Sequence, residues 1–542
     1  MTQTPASLPA SQPASPWAAL RNSTFRWLWL AMLVSNVGSW MHEVGAGWLM
    51  TTLTTSPVMV ALMQTATSLP AFFILLPSGA LSDIVDRRKY LITANIGRLV
   101  VAVAIAGLTL TGMISQWSLL IFTLFLGINI AMIMPTWQAI IPEVVQRADL
   151  QGAVGLNTLG MNISRVLGSL IAGAIIAISG SGAVFVCNAV SLLFIITVLA
   201  KWKRVQPESP LPPERFWPAV LTGLRFVRHS PALQATIYRS IGFYFFASVM
   251  WALLPLIARD LLEGDERTYS YLFAAISIGA IGSAFLLPTL RRYMTNDQLL
   301  TRAGLVFAAG ISTTATVHNH AAAMLALCVC GAAWITVMTG AQMSAQTALP
   351  NWVKSRGIAI FQTFFMGSLA IGPVVWGSVA EVTDLPSSML IAAACLAVAS
   401  LYTRRWPLSG NEQLDHTPSK HWEAPQPKLA IAPHQGPVMI AIRYEPEPAQ
   451  RAQFLHEIHL LGKARQRDGA TFWEIFEDAT KPGSFLETYV VNTWLDHLRQ
   501  HERISKQDAL VQARIKVLLQ PGTAPVVTQF VKPAPPTPFS GS

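Results

Sequence analysis

One acidic residue lies well inside the first long apolar run of the chain. It is Glu43, in the stretch "SWMHEVGAGWLM", where it directly follows His42. A carboxyl group in an apolar setting can exchange a proton as its surroundings change, because burial favours its neutral form and contact with water favours its charged form. Glu43 is therefore a candidate proton carrier. The alternative is an acid at the end of a helix that only touches water.

Arginines also lie inside apolar runs, where a charge is costly and by default faces a polar cavity or a partner. We single out Arg98 and Arg165, and Asn162 is three residues before Arg165, so those two side chains share one helix face. The candidates for lining a cavity that binds an anionic or polar small molecule are Arg98, Gln138, Asn157, Asn162 and Arg165. For the amides, the alternative is hydrogen bonding between helices, which is common for Asn in membranes.

The apolar runs that carry these residues predict membrane-crossing helices. Hydrophobic residues make up 52% of the 542 residues and charged residues only 12%, far below the usual quarter. Helices of about 20 apolar residues span the hydrocarbon core of a bilayer. We predict crossings near 25–49, 57–78, 90–112, 116–139, 152–179, 182–200, 233–258, 268–290, 298–317, 320–347, 355–379 and 386–403.

Basic residues are concentrated in every second connection between these crossings. The positive-inside rule places such connections in the cytoplasm, which predicts a multi-pass protein of the bacterial cytoplasmic membrane with both termini cytoplasmic. The opposite connections lack Lys and Arg except for "RDLLEGDERTY", which also has an acidic excess. The net charge of +10 could suggest nucleic-acid binding, but the basic residues lie in connections next to the membrane, so we expect contact with a lipid bilayer and no nucleic-acid partner.

The connection "GALSDIVDRRKY" carries a recognisable motif. Gly79, Asp83, Arg87 and Arg88 match the Gly-x-x-x-Asp-x-x-Gly-Arg-Arg/Lys loop of the major facilitator superfamily, after the second crossing, where that superfamily carries it. The chain therefore resembles that superfamily. Asp86 replaces the second glycine of the motif, a change that Asp tolerates if it adopts left-handed backbone angles.

The resemblance implies a gating role for Gly79, Asp83, Asp86, Arg87 and Arg88. Asp83 would act as a latch by meeting the positive N-terminus of a helix in the other half of the protein. The alternative is a solvated turn that anchors two helices through its basic residues.

Two longer stretches, "IPEVVQRADLQGAVGLNTLGMNISRVLGSLIAGAI" and "WLDHLRQHER", resemble the enterobactin-exporter-like branch of the superfamily. This resemblance implies an all-α membrane protein with 12 transmembrane helices in two six-helix halves. It also implies a secondary active transporter, not an enzyme, that exports a small organic molecule such as a drug or siderophore by alternating access, coupled to protons. An importer, a membrane-tethered monooxygenase-like enzyme and a scaffold are alternatives.

Cofactors are not expected. The chain has no phosphate-binding Gly-x-x-x-x-Gly-Lys-Ser/Thr loop, and its cysteines lack the spacing of a metal site. We therefore expect no metal and no cofactor, with the proton as coupling ion.

The polar C-terminal segment predicts a small α+β domain in the cytoplasm. Its order of strand, helix, strand, strand and helix resembles the ferredoxin-like domains of the antibiotic-biosynthesis-monooxygenase group, which implies a regulatory module or a homodimer contact. Trp494, His497 and His501 on one helix could line a pocket there or simply pack. The predicted divisions are a disordered leader 1–23, a six-helix half 24–200, a linker 201–232, a second half 233–405, a linker 406–435, the ferredoxin-like domain 436–520 and a disordered tail 521–542.

Overall fold

The computed structural model describes residues 18–146, 149–202, 216–350, 353–408, 429, 431–503 and 506–533. Its long helices are α1 (Ser23–Leu53), α2 (Pro57–Ile84), α3 (Arg87–Leu110), α4 (Gln116–Val144), α5 (Leu150–Lys201), α6 (Phe216–His229), α7 (Pro231–Leu256), α8 (Glu266–Tyr293), α9 (Asn296–Thr316), α10 (His320–Thr347), α11 (Lys354–Val382) and α12 (Leu385–Tyr402). Nine helical segments of this described part are long and apolar enough to cross a membrane. The protein is thus mostly helical, while twelve crossings in two halves stay a prediction.

The break between two predicted crossings lies inside α5. Gly180 has φ 77° and ψ 171°, which are not helical angles. A positive φ of this size is strained for residues with a Cβ, so glycine permits the sharp turn. The two arms of α5 on either side of Gly180 correspond to the predicted crossings 152–179 and 182–200.

Short polar side chains start several helices by capping their free N–H groups. Ser56 accepts a hydrogen bond from the Met59 amide at 3.5 Å, and Asp86 accepts one from the Lys89 amide at 2.9 Å. Asp86 has φ −58°, so the expectation of a left-handed backbone at this position was wrong. The residue begins α3 as its N-cap, a role for which Asp is well suited.

Four glycines let helices approach closely. A Cβ on Gly168 would lie 2.7 Å from the Val37 carbonyl oxygen, and one on Gly377 would lie 3.1 Å from the Pro57 carbonyl oxygen. Gly173 and Gly372 face Ser270 and Ser248 just as tightly. Small residues at helix interfaces are typical of membrane proteins.

The chain divides into two compact units. The first comprises Met1–Pro213, Ile237–Ala341 and Gln362–Trp406, and the second comprises Glu214–Thr236, Gln342–Phe361 and Pro407–Ser542. The second unit therefore joins α6 and the adjoining ends of α10 and α11 to the C-terminal domain. Within it, the Arg225 guanidinium on α6 donates to the Gly469 carbonyl oxygen at 3.0 Å.

The C-terminal domain contains a four-stranded antiparallel sheet and three helices. Its elements are β1 (Val438–Tyr444), α13 (Arg451–Asp468), β2 (Phe472–Glu477), β3 (Phe485–Val491), α14 (Trp494–Arg503), α15 (Lys506–Val517) and β4 (Val526–Val531), with strand order β2-β3-β1-β4. Each predicted strand is confirmed. The first predicted helix is α13, and the second is present as α14 and α15.

Two segments predicted to be disordered contain ordered structure. The strand β4 pairs with β1 inside the predicted tail 521–542, because "VVTQFV" is rich in β-branched and aromatic residues that favour a strand although prolines surround it. A short helical turn, Ala18–Arg21, lies inside the predicted leader with Ala19 buried. Residues 1–17 and 534–542 of these predicted segments lie outside the described residues.

Candidate functional site

An internal cavity lies in the first unit, where seven helices meet: α1, α2, α3, α4, α5, α7 and α8. Its volume is about 60 Å³, room for a few water molecules and much less than the several hundred Å³ of a site for a drug-sized ligand. Its polar lining consists of Ser39, His42, Glu43, Gln64, Thr67, Arg98, Thr123, Asn188 and Tyr269. The cavity thus brings together two residues singled out from the sequence, Glu43 and Arg98.

The α2–α3 turn lies at one end of α1–α4, and the turn between α1 and α2 lies at the other, which we call the distal end. Glu43 is separated from Leu53, the last residue of α1, by about 15 Å of helix. Gly47 on α1 and Val60 on α2 are lining residues nearer to the distal end. The cavity therefore extends from the middle of the helices towards the distal end.

Arg98 is the cationic residue of the cavity lining, and it is buried. Its Nη2 donates to the Ser39 hydroxyl on α1 at 2.5 Å, and its Nη1 donates to the Asn95 side-chain oxygen at 3.3 Å. The Nε atom has no hydrogen-bond partner among the described residues. Neutral groups thus hold the guanidinium in position and leave its charge uncompensated by an adjacent carboxylate.

Glu43 lines the same cavity and is only partly exposed. In the part of the chain that the structure describes, its carboxyl group makes no hydrogen bond and no ion pair. The neighbouring His42 is buried against the Phe185 ring, with ring centroids 4.8 Å apart, and neither ring nitrogen has a hydrogen-bond partner among the described residues. An acid and an imidazole therefore line the same cavity as Arg98, and neither has a hydrogen-bond partner among the described residues.

Arg165 is not part of the cavity lining. Its Nη2 donates to the Asn162 side-chain oxygen at 3.0 Å, which agrees with the shared face inferred from their spacing, and its guanidinium lies 5.7 Å from the Trp40 ring centroid. A cation over an indole face is attracted to it. Arg165 thus contacts α1 through Trp40, whereas Arg98 lines the cavity.

The amide candidates make local contacts. The Trp137 Nε1 donates to the Asn157 side-chain oxygen at 3.1 Å, and the Asn162 Nδ2 donates to the Thr158 carbonyl oxygen at 2.9 Å. Gln138 is exposed. None of the three amides lines the cavity, so their contacts fit the alternative of hydrogen bonding within and between helices.

The motif loop contains an ion pair and two helix caps. Arg87 pairs with Glu143 on α4 at 2.7 Å. Arg88 donates to the Leu199 carbonyl oxygen at 2.8 Å and also to that of Ala200, at the C-terminal end of α5. These contacts anchor the loop within α3, α4 and α5. Gly79 and Asp83 lie in α2, and the Asp83 side chain lies outside the described part of the structure, so the latch stays a prediction.

Sequence reasoning missed several residues around the cavity. Ser39 orients Arg98, while Trp251 on α7 and Tyr269 on α8 close the cavity from helices far away in the sequence. A further arginine inside an apolar run, Arg239, is buried and pairs with Asp297. The rule that identified Arg98 applies equally to Arg239, whereas Ser39, Trp251 and Tyr269 carry no comparable local signal.

The C-terminal domain has a buried polar network around Glu487. Glu487 is fully buried and accepts hydrogen bonds from the Tyr444 hydroxyl at 2.8 Å, the Trp473 Nε1 at 2.9 Å and the Arg465 Nε at 3.3 Å. Burial, followed by the adjacent Glu487 carboxylate, raises the pKa of Tyr444 well above its usual range. Among the described residues, no group of three or more His, Cys, Asp or Glu could hold a metal ion.

Many apolar helices around a cavity lined by an acid and an arginine are typical of a membrane transporter. The family model described as transmembrane secretion effector matches residues 14–537. The chain belongs to this family, which is part of the major facilitator superfamily.

Relatives and solved structures agree with this assignment. The chain is 20% identical to the staphyloferrin A transporter of Staphylococcus aureus over 378 residues, which cover 68% of this chain and 93% of that protein. It is 27% identical to the enterobactin exporter of Shigella boydii serotype 18 over 259 residues, which cover 47% of this chain and 61% of that protein.

The fold is similar to that of the nucleoside transporter NupG, with a TM-score of 0.61, 12% identity and coverage of 71% of this chain and 99% of that chain. It is also similar to a bacterial homologue of the human lysosomal transporter Spinster, with a TM-score of 0.57, 13% identity and coverage of 71% and 96%. These proteins are transporters and not enzymes. The expectation that the chain is not an enzyme is confirmed.

Proposed function

We propose that the protein exports a small organic molecule, such as a siderophore or drug, by alternating access coupled to proton entry. Membership of the transmembrane secretion effector family supports transport, and the names of the two relatives, a staphyloferrin A transporter and an enterobactin exporter, support a siderophore-like solute and export. The proposed location is the bacterial cytoplasmic membrane with both termini inside, supported by the distribution of basic residues. No cofactor other than the coupling proton is required.

The observation that carries the proposal is the state of Glu43. Its carboxyl group lines a water-sized cavity inside the helices and has no ion pair among the described residues. A carboxyl group that is stably paired would stay charged, whereas an unpaired one in a partly dry cavity can exchange its proton when water reaches it. Protons could then bind from one side of the membrane and leave on the other.

Arg98 supplies the complementary charge for a solute. Its guanidinium is oriented by Ser39 and Asn95, and its fixed donors suit an oxygen-rich anionic group on the solute. Because the cavity of about 60 Å³ is too small for a siderophore, binding requires a wider state of the same site. Alternating access provides such a state.

The test has two stages. First, a strain lacking the protein is compared with the parent for efflux of, and susceptibility to, a panel of siderophores and drugs, which identifies a solute. Second, purified protein in vesicles is assayed with that solute in the presence and absence of an imposed pH difference. Glu43→Gln should bind the solute and exchange it at equal pH but should lose the acceleration by the pH gradient.

The matched control is Glu263→Gln, the same change at an exposed position, which should respond to the gradient as the wild type does. If Glu43→Gln also responds normally, the proton carrier is another residue or the coupling ion is not a proton. If the strain lacking the protein accumulates none of the panel, export of this solute class is refuted.

The C-terminal domain supports a second copy of the chain as partner. One face of its sheet carries the row Phe472, Val490, Met439 and Phe530 across β2, β3, β1 and β4, and three of these four side chains are exposed. Arg443 and Glu474 lie on the same face. A face that offers both charges around an apolar row can complement itself across a twofold axis, so we include a homodimer through this face in the proposal.

A further inference from the structure

One arginine stands out because it lies where basic residues are otherwise missing. Arg259 begins the stretch "RDLLEGDERTY", the exception to the charge pattern of the connections. It lies in a π-helical turn, Ile257–Leu261, that follows α7. Pro255 precedes this turn and cannot donate a backbone hydrogen bond, which explains why the regular helix ends there. The turn places Arg259 at the distal end.

Arg259 contacts the C-terminal end of another helix. Its Nη1 donates to the Thr51 carbonyl oxygen at 2.5 Å and to the Thr54 carbonyl oxygen at 3.3 Å. Thr51 lies in the last turn of α1 and Thr54 is its C-cap. The last carbonyl groups of a helix lack partners within the helix and form the negative end of its dipole. A guanidinium therefore suits this position well.

Asp260 fixes the orientation of the guanidinium. Its two carboxylate oxygens accept hydrogen bonds from the Arg259 Nε at 2.5 Å and the Arg259 Nη2 at 2.9 Å. This bidentate pair uses one edge of the planar fork. The remaining nitrogen, Nη1, is left to reach the end of α1.

The cavity that Glu43 lines lies next to this contact, on the side towards the middle of the helices. Gly47 and Pro255 both line the cavity, and each lies one helical turn from the contact between α1 and Arg259. A Cβ on Gly47 would lie 2.8 Å from the Tyr269 hydroxyl oxygen and 3.5 Å from the Pro255 Cγ. Residues of α1, α7 and α8 thus meet between the cavity and Arg259, and they close the distal side of the cavity.

We infer that Arg259 is a positioning residue for transport, because it holds α1 against the end of α7 and thereby keeps the distal mouth of the cavity closed. The inference rests on the proposed alternating access, which requires this mouth to open in one state. Opening separates α1 from α7 and breaks both hydrogen bonds from Arg259. The contact with α1 also explains why Arg259 is present in a connection of the type that otherwise lacks Lys and Arg.

A second contact at the distal end involves different helices. The Ser56 hydroxyl at the start of α2 donates to the Glu381 carboxylate on α11 at 2.9 Å. Because Glu381 is exposed, water can replace this hydrogen bond at little cost. Arg259 is therefore the better point at which to perturb the closed state.

The experiment measures access to the cavity and needs no transported solute. In the full chain with Cys187, Cys328, Cys330 and Cys395 changed to Ser, Val60→Cys places a reporter thiol in the cavity lining, where Val60 is 2% exposed. Intact cells are treated with a membrane-impermeant maleimide and the labelling rate is measured. Arg259→Ala should raise that rate about tenfold, which corresponds to about 1.4 kcal/mol. Arg259→Lys should give an intermediate rate.

The matched control is Arg267→Ala, the same change in the same connection at an exposed side chain that has no hydrogen bond or ion pair among the described residues. It should label at the rate of the reporter alone. The unfolding temperature and the surface level of each variant confirm that the protein is folded. Equal rates for Arg259→Ala and the reporter alone, in cells and in inside-out vesicles, overturn the inference.

The two preparations separate this inference from the proposed function. Faster labelling of Arg259→Ala in inside-out vesicles, but not in intact cells, supports the role of Arg259 and contradicts the proposed orientation in the membrane. Faster labelling in intact cells, combined with an unaltered response of Glu43→Gln to a pH gradient, supports Arg259 while refuting proton coupling through Glu43.

Discussion

Replacing Glu487 by Gln should strongly destabilise the C-terminal domain, although the two side chains have almost the same shape. The carboxylate of Glu487 is fully buried and accepts three hydrogen bonds, two on Oε1 from Arg465 and Trp473 and one on Oε2 from Tyr444. An amide can keep the contacts on its oxygen, and its nitrogen can donate to the tyrosine hydroxyl. The change therefore removes mainly the negative charge opposite the buried Arg465.

The size of the effect follows from that isolated charge. Arg465 is itself 3% exposed, so water cannot replace the lost carboxylate. Removing one partner of a buried ion pair typically costs about 3–5 kcal/mol, and in a domain of this size the lower figure shifts the unfolding temperature by more than about 10 °C. Changing Arg465→Met in the Glu487→Gln background should recover part of the loss, because it removes the unpaired charge.

The assay is limited trypsin digestion of the purified full-length protein over a range of temperatures, with fragments of the C-terminal domain as the readout. The control is Glu477→Gln on β2, whose ion pair with Arg451 is well exposed and which should unfold at nearly the wild-type temperature. An unchanged unfolding temperature for Glu487→Gln would refute the reasoning, since the buried charge would then be neutralised by something other than Glu487.

Three further predictions concern transport and assembly. Asp83→Asn should leave the protein in the membrane but cut transport severely if Asp83 acts as a latch; near-normal export at an equal protein level would contradict that role. Arg165→Lys should retain more export activity than Arg165→Ala, because a lysine keeps a cation near Trp40, and equal loss would instead point to a need for the guanidinium. Phe472→Glu on the open sheet face should lower the molecular mass of the detergent-solubilised protein in light scattering, whereas Val517→Glu, at a side chain that is 79% exposed on α15, should not.

Much of the helical architecture could be predicted because its signals are local. The start of α2 follows from Ser56 and Pro57, and the turn in α5 follows from Gly180 between two apolar runs. The resemblance to the major facilitator superfamily rests on an equally local motif. Such features depend on residues within one or two helical turns, so a single sequence contains them.

The lining of the cavity could be predicted only in part. Glu43 and Arg98 were found because a charge inside an apolar run is unusual at any position. Arg165 satisfied the same rule but packs against Trp40 outside the cavity lining, and Tyr269 lines the cavity although nothing in its local sequence suggests it. Which face of each helix points inward depends on packing between distant helices, and this information is not present in any one stretch.

The same limitation explains why the role of Arg259 could not be predicted from the sequence. By the charge pattern alone, its connection is a minor exception, and an acidic excess nearby would seem to explain it. The contact with the Thr51 carbonyl oxygen joins residues more than two hundred positions apart, so only the fold shows that this arginine meets a helix end. Because Glu43 and Arg98 lie in the cavity beneath that contact, any movement that brings water to Glu43 from the distal side must first release Arg259. We therefore expect proton access to Glu43 and the position of Arg259 to be coupled, so Arg259→Ala should weaken the dependence of transport on a pH gradient even though Glu43 itself is unchanged.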